Sequence, residues 1–330
     1  MSESRVAIIG AGICGLSCAQ WLQRRGVSVR LFDKARKAGG RMSTRRGPEV
    51  TFDHGAQYFT VRSDALGEVV QTWADAGVAK PWTGRIAVAR HGSVTAKGDG
   101  VTRWVGTPTM SAIPRHLAAG LDVAAQTRVG AVERDHDGWR LIDTDGVTLG
   151  TASTVLLTTP AGQAVDLLAA APQLAERVAA VEMEPCWAVM VSLERPWEIP
   201  ADGVFVDDSP VAWAARDGSK PGRGARETWV LHATPAWTRA HWDDDAATVV
   251  QTLTAALAEA SGVERPSLAH ADTQRWRYAR ADAPLPERAL WDPELRIGVA
   301  GDWCGGPRVE GAWLGGRALA ERVLADAPNT

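Results

Sequence analysis

Cysteine, tyrosine and phenylalanine are scarce in this chain, with four, two and four copies in 330 residues. Cys14, Cys18, Cys186 and Cys304 form no C-x-x-C pair, which argues against a zinc or dithiol motif and leaves reduced thiols as the simplest state. Long apolar runs are missing too: no stretch approaches the roughly 18 residues that a membrane helix needs. The apolar segment from Val6 to Leu16 is interrupted by Gly10, Gly12 and Gly15 and follows no basic leader, so it does not read as a signal peptide. A cytoplasmic location is expected. Nor is there an excess of either charge: 36 Lys and Arg stand against 39 Asp and Glu, and the arginines are scattered among acids. No nucleic-acid partner is therefore expected, and Arg45 with Arg46 reads as a solvated or phosphate-facing loop. What is abundant is tryptophan, with fifteen copies. Most should fill core positions that other proteins give to Phe or Tyr, and some should line a pocket for a flat ligand.

Hydrophobic patterning gives the organisation. Val6 to Ile9 reads as a buried strand entering a turn at Gly10, followed by a helix from Ile13 to Arg25 stopped by Gly26, then a strand from Val27 to Phe32 ending at Asp33. Helices are expected at 65–76, 110–119, 164–181, 244–260 and about 311–324. A hairpin is expected within 85–105, with turns at Gly92 and at 98–100. A three-stranded meander should occupy 127–134, 138–143 and 147–150, turning at Asp137 and Gly138. Short buried strands are expected at 154–158 and 296–300, and a second sheet from 187–194, 204–206 and 229–233. No internal repeat or long linker is evident.

The strongest local motif is GAGICG, in which Gly10 permits a tight turn, Gly12 lets a pyrophosphate approach the backbone and Gly15 allows close helix-to-strand packing. The N–H groups at the helix start then face the phosphates. Asp33 follows Gly15 by eighteen residues, at the end of the next strand, where a carboxylate accepts from a ribose hydroxyl. These features specify a dinucleotide site and suit NAD as well as FAD.

Two further blocks separate the two nucleotides. GGRMST at 39–44 and AGDWCGGPRVEGAWLGG at 300–316 resemble the second and third signatures of the large flavoprotein group that includes the amine oxidases. Within that group, GAGICGL, GGRMSTRR, FDHGAQYFTVR at 52–62, QRWRYARAD at 274–282 and the GDWC…VEGAWLGG ending resemble bacterial renalase-like proteins. The resemblance implies an α/β fold: a Rossmann-like FAD-binding domain of the amine-oxidase type over 1–64, 106–162 and 292–330. Interleaved with it is a smaller α+β substrate domain, built on a mixed or antiparallel sheet, over 65–105 and 163–291. It implies noncovalent FAD held by Gly10, Gly12, Ile13, Cys14, Gly15, Asp33, Lys34, Gly40, Arg41, Met42, Val129, Thr159, Gly301, Asp302, Glu310, Gly311 and Ala312. Asp302 is expected at the ribityl chain or as a plain helix N-cap or turn residue, and the helix start at 310–312 at the flavin pyrimidine edge. No metal site is expected.

The implied activity is an oxidase that takes a hydride from misreduced 2- or 6-dihydro isomers of NAD(P)H, delivers it to flavin N5, and reduces dioxygen to hydrogen peroxide. Loss of hydride from a dihydropyridine yields an aromatic pyridinium, so orientation of the donor would carry the catalysis. His54, Gln57 and Tyr58, then Trp276, Arg277 and Trp303, are the candidate pocket residues: rings to stack on a nicotinamide, amide or imidazole to bond its carboxamide, and Arg275 or Arg277 to meet a phosphate. Amine oxidases of the group usually carry a lysine on a strand corresponding to 185–193; here that stretch is PCWAVMVSL, and Lys220 is the only lysine after Lys97. Amine oxidation or another small-molecule flavin oxidoreduction is thus the alternative, and a non-catalytic flavin-binding module a second one. The expected partners are a small-molecule donor and dioxygen, with no membrane.

Overall fold

The computed structural model describes residues 4–136 and 138–326, so the Asp137 side of the predicted meander turn lies outside the described residues. Strand Ser4–Ile9 pairs in parallel with Val29–Phe32 on one side and with Thr148–Leu157 on the other, and helix Ile13–Gln23 makes the crossover between the first two. Asp122–Ala124 extends the parallel sheet beyond Val29–Phe32. The centre of this sheet is buried on both faces, as Val6, Ala7, Ile8, Leu156 and Leu157 show with almost no exposed surface, which is why it reads as continuous apolar sequence.

The predicted third meander strand and the buried strand at 154–158 are one element. Thr148–Leu157 pairs antiparallel with Gly138–Asp143 in its first half and parallel with Ile297–Val299 in its second. Polar residues in its first half hide this continuity, because that half has one solvated face. The predicted helix at 164–181 is instead two, Ala161–Val165 and Pro172–Ala179; Pro172 lacks the N–H that a continuous helix would use and begins the second. In the 85–105 region only Ile86–Arg90 and Ser93–Ala96 form the hairpin, while Arg103–Gly106 pairs with Ala79–Trp82.

A seven-stranded sheet carries the other half of the molecule, in the order 268–281, 183–193, 228–233, 211–216, 203–206, 86–90, 93–96. Two of its strands escaped the sequence reading, Val211–Arg216 and the fourteen-residue Leu268–Ala281. The second is an edge strand carrying Arg275, Arg277 and Arg280, so its apolar signal is weak. One face of this sheet packs on helix Ala246–Ser261 through Val189, Val191, Trp229 and Leu231. The opposite face meets Val50 and Phe52 through Met190 and Val230. Helix Arg308–Ala325 packs along Ile13–Gln23, and Gly316 permits the closest approach: a Cβ there would stand 2.1 Å from the Cys14 carbonyl oxygen. Among the described residues no helix is long and apolar enough to cross a membrane.

Candidate functional site

The glycine-rich turn has the geometry that its spacing demands. Gly10 lies at φ +107°, and a Cβ on Gly15 would fall 2.0 Å from the Gly10 carbonyl oxygen, so both positions require glycine for the chain itself. Gly12 differs, since a Cβ there would meet nothing within 4 Å and its φ of −74° suits any residue. Its lack of a side chain leaves open space outside the protein, the place where the motif predicts a pyrophosphate. Ile13 and Cys14 are buried beneath this turn. Asp33 accepts from the Ala11 and Ala35 backbone N–H groups, both at 2.7 Å, which aims its carboxylate at the turn. Lys34 follows it, with its ammonium pushed below the ordinary lysine range by burial and by Arg128. Val129 is buried at the start of strand Val129–Asp135, and the Thr159 hydroxyl is buried with no partner among the described residues. An orphaned donor beside an open glycine cradle fits a bound dinucleotide.

The second loop lies against the first. Gly39 donates to the Ala11 carbonyl at 2.8 Å, and a Cβ on Gly40 would sit 3.4 Å from the Gly12 Cα. Arg41 forms a bidentate pair with Asp302, at 2.7 and 2.8 Å, and donates to the Ala279 carbonyl at 2.8 Å; Met42 is buried beneath. This pair joins residues 261 positions apart. It also shows that Asp302 is no helix N-cap, because the last helix begins at Arg308 after Pro307. Gly301 lacks a side chain because Trp303 fills that place, with a built Cβ 2.3 Å from its indole nitrogen. Glu310 and Ala312 lie in the first turns of the helix, and Gly311 is packed under the Gly306 carbonyl. The Glu310 carboxylate accepts from the Arg62 and Ser63 backbone N–H groups and from the Ser63 hydroxyl, the last at 2.6 Å.

The FDHGAQYF block connects this cofactor region to the seven-stranded sheet. Gly55 is obligatory there, since a Cβ would lie 2.0 Å from the Arg41 carbonyl oxygen, and Ala56 donates to that carbonyl at 2.8 Å. His54 stacks on Trp276 at 5.1 Å and 29°, and its carbonyl accepts from Trp276 Nε1 and from His232 Nε2 at 3.0 and 3.1 Å. Burial, assisted by Arg45 and His232, lowers the His54 pKa to about 4, and burial lowers that of His232 to about 4 as well. Both rings are neutral at pH 7. Tyr58 turns the other way, into a cluster with Trp82 and Trp213. Arg45 anchors the sheet edge through Gln274 at 2.7 Å and Asp272 at 3.3 Å.

Besides Tyr58, two candidates fall elsewhere. Trp303 is wholly buried in the core, with its indole N–H on the Thr159 carbonyl at 3.0 Å, so it supports the Asp302 loop from beneath rather than lining a pocket. Arg277 follows strand alternation and lies on the sheet face opposite Trp276. There it and Arg275 stack on Trp242, at 5.4 and 5.3 Å, in an outer groove of about 620 Å³.

A buried charge cluster was not foreseen. Asp53, Asp217, Lys220 and Arg223 have almost no exposed side-chain surface; Lys220 lies 2.5 Å from Asp217 and 3.9 Å from Asp53, and Arg223 pairs with Asp53. Burial pushes the Asp217 carboxyl up, opposed by Lys220. Asp53 also accepts from the Thr44 hydroxyl and the Met110 N–H, at 2.8 and 3.0 Å, while Lys220 Nζ donates to Gln57 Oε1 at 3.0 Å. The available signal was a solitary lysine in a glycine-rich loop and an aspartate inside an apolar block; pairing them needs the fold. The strand Met183–Leu193 carries no lysine, but a lysine from elsewhere reaches Gln57.

A family model described as flavin containing amine oxidoreductase matches residues 83–324, and one described as NAD(P)-binding Rossmann-like domain matches residues 8–74. Protoporphyrinogen oxidase 2, chloroplastic/mitochondrial, of Arabidopsis thaliana is 31% identical over 70 residues, which are 21% of this chain and 14% of that protein. The chain therefore matches about a seventh of that relative's length. Cyclohexylamine oxidase from Brevibacterium oxydans IH-35A superposes with a TM-score of 0.80 at 14% identity, over 99% of this chain and 100% of the other. Wild-type putrescine oxidase bound to putrescine superposes with a TM-score of 0.74 at 15% identity, over 98% and 99%.

Proposed function

Since the chain belongs to the flavin-containing amine oxidoreductase family and is an FAD-dependent oxidoreductase, we propose that its hydride donor is a misreduced 2- or 6-dihydro isomer of NADH or NADPH, oxidised to NAD(P)+. The observation that carries this reading is the His54–Trp276 wall, flat and uncharged, with His232 behind it. Two imidazoles with pKa values of about 4 are poor bases for an alkylammonium substrate. A dihydropyridine needs no base, because hydride loss alone makes the ring aromatic. Trp276 and His54 would stack the ring and fix its distance, which is where orientation acts on the rate.

Gly10, Gly12, Gly15, Asp33, Gly40, Arg41, Thr159 and Asp302 would hold FAD, whose contribution when bound is to take up the donor's two electrons and pass them to dioxygen. Cys304 is wholly buried and burial pushes its thiol up to about 12, so the nearest thiol to the Asp302 loop is not a nucleophile, which supports a noncovalent cofactor.

The test is anaerobic mixing of the FAD-loaded protein with each dihydro isomer. Bleaching of the visible flavin band by the 2- or 6-dihydro form, followed by one hydrogen peroxide per turnover on admitting air, is expected; an unchanged band refutes the reading. One observation favours amine oxidation as a second reading: Lys220 reaches the site although the expected strand lacks a lysine. Rapid bleaching by a panel of primary and cyclic amines would select it.

A further inference from the structure

Gln57 is 5% exposed, and its amide is engaged at both ends. Its Oε1 accepts from Lys220 Nζ at 3.0 Å, and its Nε2 donates to the Asp53 carbonyl oxygen. Rotating the amide by half a turn would set N–H against the ammonium and oxygen against the carbonyl, replacing two attractions by two repulsions where little water can compensate. Lys220 is itself fixed, by Asp217 through its Nζ at 2.5 Å and through its backbone N–H to the Asp217 carbonyl at 3.1 Å. The polar capacity that Gln57 retains for donation is its second N–H, and the ammonium beside its oxygen polarises the amide and strengthens that donor.

We propose that Lys220 is a positioning residue that locks Gln57 as a hydrogen-bond donor toward the substrate, so that the site selects a molecule presenting a carbonyl oxygen there. Within the nicotinamide reading, on which this last step rests, that oxygen is the ring carboxamide's. Gln57 lies three positions after His54, whose ring makes the stacking wall, so donor and wall would read the same planar group. The selection is for an acceptor: an amide free to turn would accept either an acceptor or a donor.

The test uses the FAD-loaded full chain and the double variant Asp217→Asn with Lys220→Met. This change removes one buried anion and one buried cation together and leaves Asp53 paired with Arg223, so the fold is not asked to bury an uncompensated charge. In protein labelled with ¹⁵N-glutamine, with the Gln57 side-chain signal assigned by its loss in Gln57→Met, amide hydrogen exchange should speed up by about tenfold or more in the double variant. Binding of NAD+ and of its pyridine analogue without the carboxamide is read from perturbation of the flavin absorption. The native protein should favour NAD+ by about five- to tenfold, and both Gln57→Met and the double variant should lose that preference. Unchanged exchange in the double variant overturns the positioning role, and so does a retained preference for NAD+. A shifted flavin spectrum in ligand-free Gln57→Met, with the preference intact, overturns the proposal by directing the donor to the cofactor. If native protein binds neither dinucleotide and is bleached by amines, the nicotinamide reading fails, and the exchange measurement alone decides the lock.

Discussion

Gly12 and Gly15 share one motif but should fail in opposite ways when changed to alanine. At Gly12 the added methyl meets no protein atom within 4 Å, and the backbone at φ −74° and ψ 179° already suits alanine. Gly12 is the N-cap of helix Ile13–Gln23, where alanine costs about 0.5–1 kcal/mol relative to a preferred cap. The stiffer unfolded chain returns about 0.4–1 kcal/mol, so apoprotein stability should stay within about 1 kcal/mol of native. In the proposed FAD site the methyl would, however, occupy the approach of the pyrophosphate. Losing one charge-assisted backbone hydrogen bond of about 1.5–3 kcal/mol should raise the Kd for FAD by at least about tenfold. At Gly15 the same methyl would lie 2.0 Å from the Gly10 carbonyl and 2.6 Å from the Thr158 hydroxyl, so the helix must lift from the strand. That overpacking should cost the apoprotein about 1–3 kcal/mol or more. Urea unfolding of the apoproteins and a fluorescence titration with FAD separate the two effects. Native FAD affinity in Gly12→Ala, or an undiminished unfolding midpoint in Gly15→Ala, would refute the assignment of space and packing to these glycines.

Asp53→Ala should lower stability by about 3–5 kcal/mol, because Arg223 and Lys220 are then left with Asp217 alone; denaturant unfolding checks this, and Asp53→Ala combined with Arg223→Met should recover much of the loss. The His54 pKa is lowered from 6.5 to about 4, so the unfolded chain binds the extra proton first and stability falls as pH drops from about 6.5 toward 4. The His54 share is about 3 kcal/mol, and a His54→Phe variant should show a flatter unfolding midpoint over that window. Acid precipitation should release all of the FAD from native protein and from Cys304→Ala alike, as read from the supernatant absorption; flavin retained by the native pellet alone would establish a covalent bond.

Local signals carried the first half of the site. The strand, turn and helix around Gly10, Gly12 and Gly15 are legible because the demands are local: Gly10 takes a positive φ and Gly15 packs against the Gly10 carbonyl five residues back. Asp33, Arg41 and Asp302 were likewise visible as motif positions, although the Arg41–Asp302 pair closes only when chain segments 261 residues apart meet. The misplaced residues share a different cause. Arg277 was assigned by motif without the period-two alternation that separates it from Trp276, since Leu268–Ala281 gave no strand signal. Residue type alone suggests a pocket ring at Trp303, whereas its ring is buried and its indole N–H is engaged by the Thr159 carbonyl.

The buried cluster shows why the second half resists a sequence reading. Four charged residues with almost no exposed side-chain surface would each be costly alone, and the cost is bearable because Asp53 and Asp217 face Lys220 and Arg223. Such a network contributes little net stability over an apolar core, but it sets one arrangement of its members. Its partners include Thr44 from the second loop, Met110 from the segment ahead of helix Ala112–Ala118, and Gln57 beside the stacking wall. The same charges therefore tie the loop at Thr44 to the segment after strand Val50–Phe52 that carries His54. The network thereby joins Thr44, Asp53, Lys220 and Gln57 in one hydrogen-bonded and ion-paired set, whose contribution is a fixed arrangement rather than net stability.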